Sequence, residues 1–433
     1  MPCCSWSPIV PGTSPCRTSS STAARLCAPE KGIADVSIPA LVRPRPVHRA
    51  ADLLAAYLPG SFYFSSTRGA LLADGVHAWV RPGSGARALA AAEALDAAAA
   101  AGLPEPVVAG AVGFRPEAEA GLVVPAVVRR AGAPAVVRAP DAESGAAWTV
   151  TPRPEPAKYA DGVRRALELI GRGDLRKVVL ARSLELTADT PVWVPALLAR
   201  LVRADPAAYA FAVDVTAPGD LAPRTLVGAS PELLVSRRGA TVVANPLAGS
   251  TPRSGDEAVD RERIARLRES AKDLGEHAHT AGQVAEVLGR FCVDLDVPER
   301  PEVIGTPTMW HLSTRITGRL ADPVDPACSA LGLAEALHPT PAVCGVPEGG
   351  ALAAIADLEP EDRGYYAGMV GWTGLDGDGE WAVTIRSAEV CDRTVRLFAG
   401  AGVVEGSEPA AELAETGAKF RTLLRAIGLE DAA

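Results

Sequence analysis

Two glutamates and a lysine lie on one face of the last long helical segment of the chain. Residues 407–427 read SEPAAELAETGAKFRTLLRAI, with Ser407 as the expected N-cap. At about 100° per residue, Glu412, Glu415 and Lys419 form one stripe, set apart from the apolar stripe that must pack inward. Such a stripe is more often a solvated face with a Glu–Lys pair. The alternative is two carboxylates that bind a divalent cation, beside a lysine that holds an anionic ligand.

Two more charged residues stand at the heads of predicted strands. Residues 176–186, RKVVLARSLEL, alternate as a strand, with Lys177 as the single charge on a face of apolar and small residues. Such a lysine reaches water about as often as it is buried. Burial would disfavour its charged form and make it a credible general base. Glu232 follows Ala-Ser-Pro and opens the strand expected at 232–236, either as an edge charge or as a positioned acid.

Other polar groups occur at turns and on a charged helical region. Residues 246–250, PLAGS, predict a small-residue turn whose backbone N–H groups could receive a carboxylate. The helical region 256–291 is expected to break near Gly275. On it, Asp273, Glu276 and His277 share one face and suggest a magnesium site only loosely.

A predicted β-hairpin at 377–402 leads directly into the last helix. Alternation places Arg386 on one face of its first strand, and the second strand ends in the permissive run Gly400-Ala401-Gly402. We therefore expect the arginine, the glycines and the Glu/Lys stripe to meet. Upstream, residues 307–318 are expected to form a strand that carries His311.

Composition limits the classes of partner. The chain has 433 residues, a net charge of −9 and no basic run, which argues against nucleic acid and anionic membranes. No apolar stretch is long enough to span a bilayer. Four of the eight cysteines lie beyond residue 290 without CxxC spacing, as expected for reduced thiols in a cytoplasmic protein.

The length allows one large domain or two ordinary ones. Residues 1–35 are rich in Ser, Pro and Cys and weakly resemble a transit peptide. A disordered tail or an upstream start codon is the more common explanation of such a segment. We exclude it from the fold.

Nine separated motifs between residues 155 and 430 resemble the chorismate-utilising enzymes, most closely the isochorismate synthases. The motifs are RKVVLARS, GASPELL, NPLAGS, SAKDLGEH, TPTMWHL, HPTPAVCG, GEWAVTIRSAEV, LFAGAGVV and ETGAK. The resemblance implies that residues 36–433 form a single α/β (α+β) domain, a pseudo-twofold sandwich of two antiparallel sheets flanked by helices. It also implies a Mg²⁺-dependent site between the sheets.

The resemblance further implies roles for individual residues. Lys177 matches the base that activates water for attack at C2 of chorismate, and Glu232 matches the acid that protonates the departing C4 hydroxyl. Glu276 and Glu415 match the magnesium ligands, with Glu412 close by through water. The positions that match substrate contacts or line the pocket are Gly249, Ser250, His311, Ala342, Tyr366, Arg386, Gly400 and Lys419.

The implied reaction is the isomerisation of chorismate to isochorismate, for siderophore, catechol or menaquinone synthesis. Ammonia-using relatives lack the lysine at 177, and some carry a lysine where this chain has Ala248. Salicylate synthases, which also eliminate pyruvate, remain an alternative, because Tyr366 fits their pattern while Ala342 does not. An inactive chorismate-binding module is the third option. The oligomeric state stays open, with a monomer as the simplest expectation.

Overall fold

The computed structural model of the protein describes residues 49–80, 86–115, 120–135, 146–217, 220 and 222–429. The predicted N-terminal extension, residues 1–35, lies outside these ranges. The strands are β1 (Phe62–Ser66), β2 (Gly69–Val80), β3 (Val107–Val112), β4 (Ala120–Ala131), β5 (Trp148–Arg153), β6 (Lys177–Ala188), β7 (Tyr209–Asp214), β8 (Arg224–Ser230), β9 (Leu233–Arg238), β10 (Thr241–Asn245), β11 (Leu247–Pro252), β12 (Cys292–Asp296), β13 (Glu302–Gly305), β14 (Met309–Ser313), β15 (Ile316–Leu320), β16 (Gly345–Val346), β17 (Met369–Gly374), β18 (Gly379–Val383), β19 (Ser387–Cys391) and β20 (Thr394–Val404). The helices are α1 (Ala50–Ala55), α2 (Arg87–Ala100), α3 (Pro156–Gly171), α4 (Val194–Ala204), α5 (Glu257–Glu269), α6 (Ala271–Leu288), α7 (Ala330–Leu337), α8 (Glu348–Leu358) and α9 (Pro409–Ile427), with a 3₁₀ turn at Pro326–Cys328.

Antiparallel pairing joins seventeen of the described strands into one ribbon. Its order is β12–β15–β10–β9–β18–β17–β3–β4–β2–β1–β7–β8–β19–β20–β6, with β5 and β16 both on the far edge of β6. The pairing of β2 with β4 divides the ribbon into two halves. A separate three-stranded sheet has the order β11–β14–β13.

The two halves of the ribbon fold over each other. Adjacent strands are about 4.8 Å apart, so β18 and β7, six strands apart, would be separated by roughly 29 Å in a flat sheet. Buried side chains of both strands nevertheless share one apolar cluster, which contains Phe211 of β7 and Ala382 of β18. The predicted α/β sandwich of two antiparallel sheets flanked by helices is therefore confirmed.

Helices cover the outer faces of the sandwich. On one side, α1, α4 and α9 pack on a cluster that includes Leu198, Leu397 and Leu424. On the other side, α2, α6 and α7 bury a second cluster against β9 and β18. Contacts join these elements into one compact unit. Among the described helices, none has the length and apolar character needed to cross a membrane.

Three local predictions need correction. The charged helical region breaks at Ser270 rather than near Gly275, because the Ser270 hydroxyl accepts the Asp273 N–H at 3.2 Å and caps α6. The last helix begins at Pro409, and Ser407 instead accepts the Val404 N–H at 3.2 Å. PLAGS is mostly strand β11, which carries a register shift against β14.

The predicted hairpin is also divided differently. Arg386 has a φ of +50°, a left-handed conformation that interrupts the strand run and separates β18 from β19. The hairpin is formed by β19 and β20 alone, and β18 pairs with β17 and β9. The break frees the Arg386 side chain from the alternation of a continuous strand.

Candidate active site

One pocket collects most of the predicted site residues. It has an empty volume of about 520 Å³ and lies where β11, β14 and β20 meet α6 and α9. Its walls include Glu232, Gly249, Ser250, Glu276, His311, Ala342, Tyr366, Arg386, Gly400, Glu415 and Lys419. Lys177 lies directly behind this lining, in contact with Glu276, and Glu412 lies one helical turn before Glu415 on α9.

Lys177 is fully buried, although its strand pattern was equally compatible with a lysine that reaches water. Its Nζ lies 2.9 Å from Oε1 of Glu276 and donates to the Thr280 hydroxyl at 3.5 Å. The neighbouring strand leaves room for this pair because residue 402 is a glycine. A Cβ at Gly402 would collide with Oε1 of Glu276. The predicted role of Gly400-Ala401-Gly402 is therefore corrected: this stretch is ordinary strand, and its glycines allow close approach.

Glu232 is a buried carboxyl with an elevated pKa. It is 2% exposed, and burial raises its pKa to about 7, although the Leu247 N–H and the charge of Arg386 partly offset this shift. The Leu247 N–H donates to its Oε1 at 3.4 Å. Because its pKa lies near neutrality, Glu232 is protonated often enough to act as a general acid.

Glu415 is held as a carboxylate on α9. Its Oε1 lies 2.6 Å from Nζ of Lys419 and accepts the Ser250 hydroxyl at 3.1 Å. Burial acts to raise its pKa, but Lys419, the charge of Lys272 and the Ser250 hydrogen bond together lower it. Lys419 also donates to the Gly400 carbonyl at 2.8 Å. These contacts tie α9 to β11 and β20 across the pocket.

Glu412 is buried and has one oxygen without a partner. Its Oε1 accepts from Nζ of Lys272 at 2.6 Å, whereas its Oε2 has no hydrogen bond. Burial, and then repulsion from Glu415, raise the pKa of this carboxyl. The solvated-face interpretation of the Glu/Lys stripe is thus wrong. Lys272 was missed in the sequence, where its place in SAKDLGEH gave no sign that it would meet Glu412.

The carboxylates suit a hard cation in chemical type. Within the ranges that the structure describes, no three His, Cys, Asp or Glu side chains converge closely enough to hold a metal ion. Glu276, Glu412 and Glu415 nevertheless offer the oxygen ligands that Mg²⁺ prefers, and Oε2 of Glu412 is a buried acceptor without a donor. A lysine pairs with each of the three carboxylates.

Arg386 and His311 form a hydrogen-bonded pair at one end of the pocket. Arg386 Nη2 donates to His311 Nε2 across 3.2 Å. Burial, and then the charges of Arg386 and Lys419, hold the pKa of His311 well below its usual value, so its ring is neutral. A neutral ring nitrogen can accept this hydrogen bond and orient the guanidinium. The remaining N–H groups of Arg386 can bind a carboxylate.

Tyr366 and the loop that carries Ala342 form the apolar wall. The Tyr366 ring stacks on Phe398, with centroids 5.2 Å apart, and burial raises its pKa to about 12, so the hydroxyl stays neutral. Arg363, which sequence reasoning missed, donates to the carbonyls of Val343 and Val179 at 2.7 and 2.8 Å. These bonds fasten the Ala342 loop to β6.

The loosely suggested metal role of Asp273 and His277 is not supported by the geometry. His277 is buried and uses both ring nitrogens, Nδ1 with the Ala248 carbonyl at 3.1 Å and Nε2 with the Thr314 hydroxyl at 2.7 Å. Asp273 packs beside Gly249 and does not line the pocket. This histidine therefore positions β11 and has no ring nitrogen left for a cation.

This fold and this pocket define a class of protein. Residues 131–428 match the family described as chorismate binding enzyme. The chain belongs to this family, as its motifs predicted.

Several similar proteins carry a more specific description. Isochorismate synthase DhbC of Bacillus subtilis is 50% identical to the chain over 390 residues, which is 88% of this chain and 97% of the relative. Isochorismate synthase EntC of Escherichia coli K12 is 39% identical over 336 residues, or 77% and 84% of the two chains. The crystal structure of DhbC from Bacillus anthracis, described as 2,3-dihydroxybenzoate-specific, has a TM-score of 0.82 and 44% identity, and covers 87% of this chain and 99% of that one.

Proposed function

We propose that the protein is an isochorismate synthase. It adds water at C2 of chorismate, shifts the ring double bonds and removes the C4 hydroxyl as water, so that the net change is an isomerisation. The observation that carries this proposal is the burial of Lys177 behind the same pocket in which Glu232 has a pKa of about 7. The 50% identity to a B. subtilis isochorismate synthase supports it.

The two buried groups have complementary proton-transfer roles. The amine of Lys177 takes the proton of the attacking water. Glu232, in its protonated form, gives a proton to the departing hydroxyl, which is otherwise a poor leaving group. Arg386 binds one substrate carboxylate through its forked donors, and Lys419 with the Gly249–Ser250 backbone receives negative charge elsewhere on the substrate. Tyr366 and Ala342 contact its apolar face.

Magnesium is part of the proposal. Glu276 and Glu415 would hold the ion because both carboxylates line the pocket, and Glu412, one helical turn before Glu415, would act through water with the Oε2 that has no donor. When bound, the ion supplies charge neutralisation for a substrate carboxylate that would otherwise repel these glutamates. The chain's own contribution is a carboxylate from α6, Glu276, and one from α9, Glu415, on the walls of the same pocket.

Salicylate synthesis is a second candidate because of Tyr366. Its hydroxyl lies close to Gly400, where a Cβ would be 3.0 Å away, so a polar group stands at the pocket wall. Against this, Ala342 provides no hydroxyl on the loop that Arg363 fastens in place. We favour isomerisation without pyruvate elimination.

The similar proteins and the free cysteines also support a biosynthetic pathway and a cellular compartment. The likeness to DhbC, described as 2,3-dihydroxybenzoate-specific, favours a catechol siderophore route over menaquinone synthesis. The cysteines among the described residues are free thiols, which suits the cytoplasm. A monomer is the simplest assembly for this proposal, because every group assigned a role belongs to the same chain.

The test is incubation of the purified protein with chorismate, with and without Mg²⁺, followed by chromatography and mass analysis. We expect a product of the same mass as chorismate but different retention, formed only with Mg²⁺. Salicylate and pyruvate would establish the second candidate. If no product forms, even with added ammonium, the proposal is wrong and a binding role remains.

A further inference from the structure

A second cleft adjoins the substrate pocket. It has an empty volume of about 800 Å³ and lies between the C-terminal ends of α4 and α9 and the loop at residues 306–308. Its walls are largely apolar, but three arginines line it besides Arg386: Arg200 and Arg203 from α4, and Arg425 from α9. Nothing in the reaction proposed above uses these residues.

The cleft is positively charged in a protein that is negative overall. Arg200 donates to the Ala426 carbonyl at 2.9 Å, which joins the ends of the two helices. Arg203 and Arg425 are exposed, and neither pairs with a carboxylate among the residues that the structure describes. The acid that lines the cleft, Asp205, accepts the Ala207 N–H at 3.1 Å. The cationic side chains therefore outnumber the anionic ones.

The cleft and the substrate pocket share a wall. Pro231 and Arg386 line both of them. Pro231 precedes Glu232 in the chain, and Arg386 holds its left-handed conformation between β18 and β19. Pro231 and Arg386 thus separate the inner end of the cleft from the substrate pocket.

We propose that this arginine cleft is an antechamber that binds a small ring carboxylate, the substrate before it enters or the product as it leaves. Its apolar walls suit a six-membered ring, and Arg203 and Arg425 attract the carboxylates at the mouth. Arg386 then accepts the anion at the shared wall. That the carboxylate is the substrate or product rests on the proposed function. The affinity of the cleft for carboxylates is independent of that function.

The first test compares the variant Arg203→Gln/Arg425→Gln with Arg421→Gln, an exposed arginine one turn earlier on α9 that lines neither pocket. At an ionic strength of roughly 20 mM, we expect the double variant to lower kcat/KM for chorismate by about three- to tenfold, through KM. Its kcat/KM should also fall less steeply than the parent's as salt is added. The Arg421 variant should match the parent. A double variant with the parent's kcat/KM and salt dependence would overturn the proposal, as would a loss confined to kcat.

A second test does not depend on turnover. Benzoate, a simple ring carboxylate, is titrated calorimetrically into the parent, the double variant and Lys419→Met, which alters only the substrate pocket. We expect the double variant to weaken benzoate binding at least about fivefold, and Lys419→Met to retain a benzoate site. Loss of all binding in Lys419→Met with full binding in the double variant would place the carboxylate in the substrate pocket and overturn the antechamber. If the parent does not convert chorismate but this pattern holds, the proposed function fails and the cleft stands.

Discussion

The ammonium nitrogen of Lys177 lies 2.9 Å from Oε1 of Glu276, and Lys177 has no exposed surface. The residue assigned as the base thus contacts a residue assigned to the metal. A change in either one alters the surroundings of the other. Variants at this pair must therefore be assessed for both turnover and stability.

Lys177→Met keeps the length of the buried side chain and removes its amine. We expect kcat for isochorismate formation to fall by about 10² to 10⁴, because the proposed mechanism assigns no other group to take the proton of the attacking water. The exposed Lys158 on α3 provides the control, and Lys158→Met should leave kcat unchanged. Parent-like turnover in Lys177→Met would remove Lys177 from the mechanism.

The same variant should lose stability in metal-free buffer. Removing Lys177 leaves Glu276 partly buried without its counter-charge, which costs on the order of 3 kcal/mol. Thermal unfolding measures this loss, and added Mg²⁺ should restore part of it by supplying positive charge to Glu276. A melting temperature equal to the parent's in metal-free buffer would show that the pair is energetically neutral.

The raised pKa of Glu232 is expected to lower the stability of the protein at high pH while supporting its activity. The pKa of this carboxyl is about 7 in the folded protein and 4.5 ordinarily. Between these values the folded chain keeps a proton that the unfolded chain has released, so the contribution of Glu232 to stability falls as the pH rises from 4.5 through 7. Above 7 the penalty levels off at roughly 3 kcal/mol.

Glu232→Gln should therefore be more stable than the parent at pH 8, by up to roughly 3 kcal/mol, and similar to it near pH 4. Its kcat should drop by about 10² to 10⁴, because an amide cannot protonate the leaving hydroxyl. In the parent, kcat/KM should decline above about pH 7 as the acid loses its proton. Urea unfolding at both pH values is the measurement, with the exposed Glu168→Gln as control. If Glu232→Gln is no more stable than the parent at pH 8, burial of the ionised Glu232 carboxylate does not destabilise the protein.

Gly402→Ala tests the close approach of β20 to Glu276. The added methyl collides with Oε1 of Glu276, so the carboxylate must move away from Lys177. We expect weaker Mg²⁺ dependence of activity and a kcat reduced by at least about tenfold. Gly275→Ala is the matched control: it adjoins Glu276 on α6, meets nothing within 4 Å, and should stabilise the helix by about 0.5–1 kcal/mol. Full activity in Gly402→Ala would mean that Glu276 tolerates displacement.

The carboxylates of α9 should differ in their effect on magnesium binding. Mg²⁺ at 100 times its Kd should stabilise the parent by about 2.7 kcal/mol. We expect Glu415→Gln to abolish this stabilisation and Glu412→Gln to reduce it only in part, because Glu412 is assigned a contact through water. Differential scanning calorimetry with and without Mg²⁺ measures the shift. If Glu412→Gln abolishes the shift while Glu415→Gln retains it, the two assignments are reversed.

Much of the local structure was predictable because it depends on nearest neighbours. Gly428 ends α9 in a left-handed conformation with a φ of +93°, and Pro409 opens it, as residue types at helix ends require. The alternation around Lys177 predicted a strand, and β6 begins at that residue. The breaks at Ser270 and Arg386 were not predictable. Ser270 and the nearby Gly275 are both residue types that can mark a helix boundary, and a positive φ is uncommon for a residue other than glycine.

The sequence by itself determined which chemical groups the protein carries, the family to which it belongs and the strands and helices that hold those groups. Only the tertiary structure decided whether the charged residues face water or each other. The alternation of the strand was compatible with either an exposed or a buried Lys177. Glu412 belonged to a stripe of charged residues of the kind that usually faces solvent. Their partners, Glu276 and Lys272, come from α6, far away in the chain, so no local pattern encodes these contacts. The folding of the sheet brings α6, β6 and α9 together, and this packing places their charged side chains in or next to one pocket.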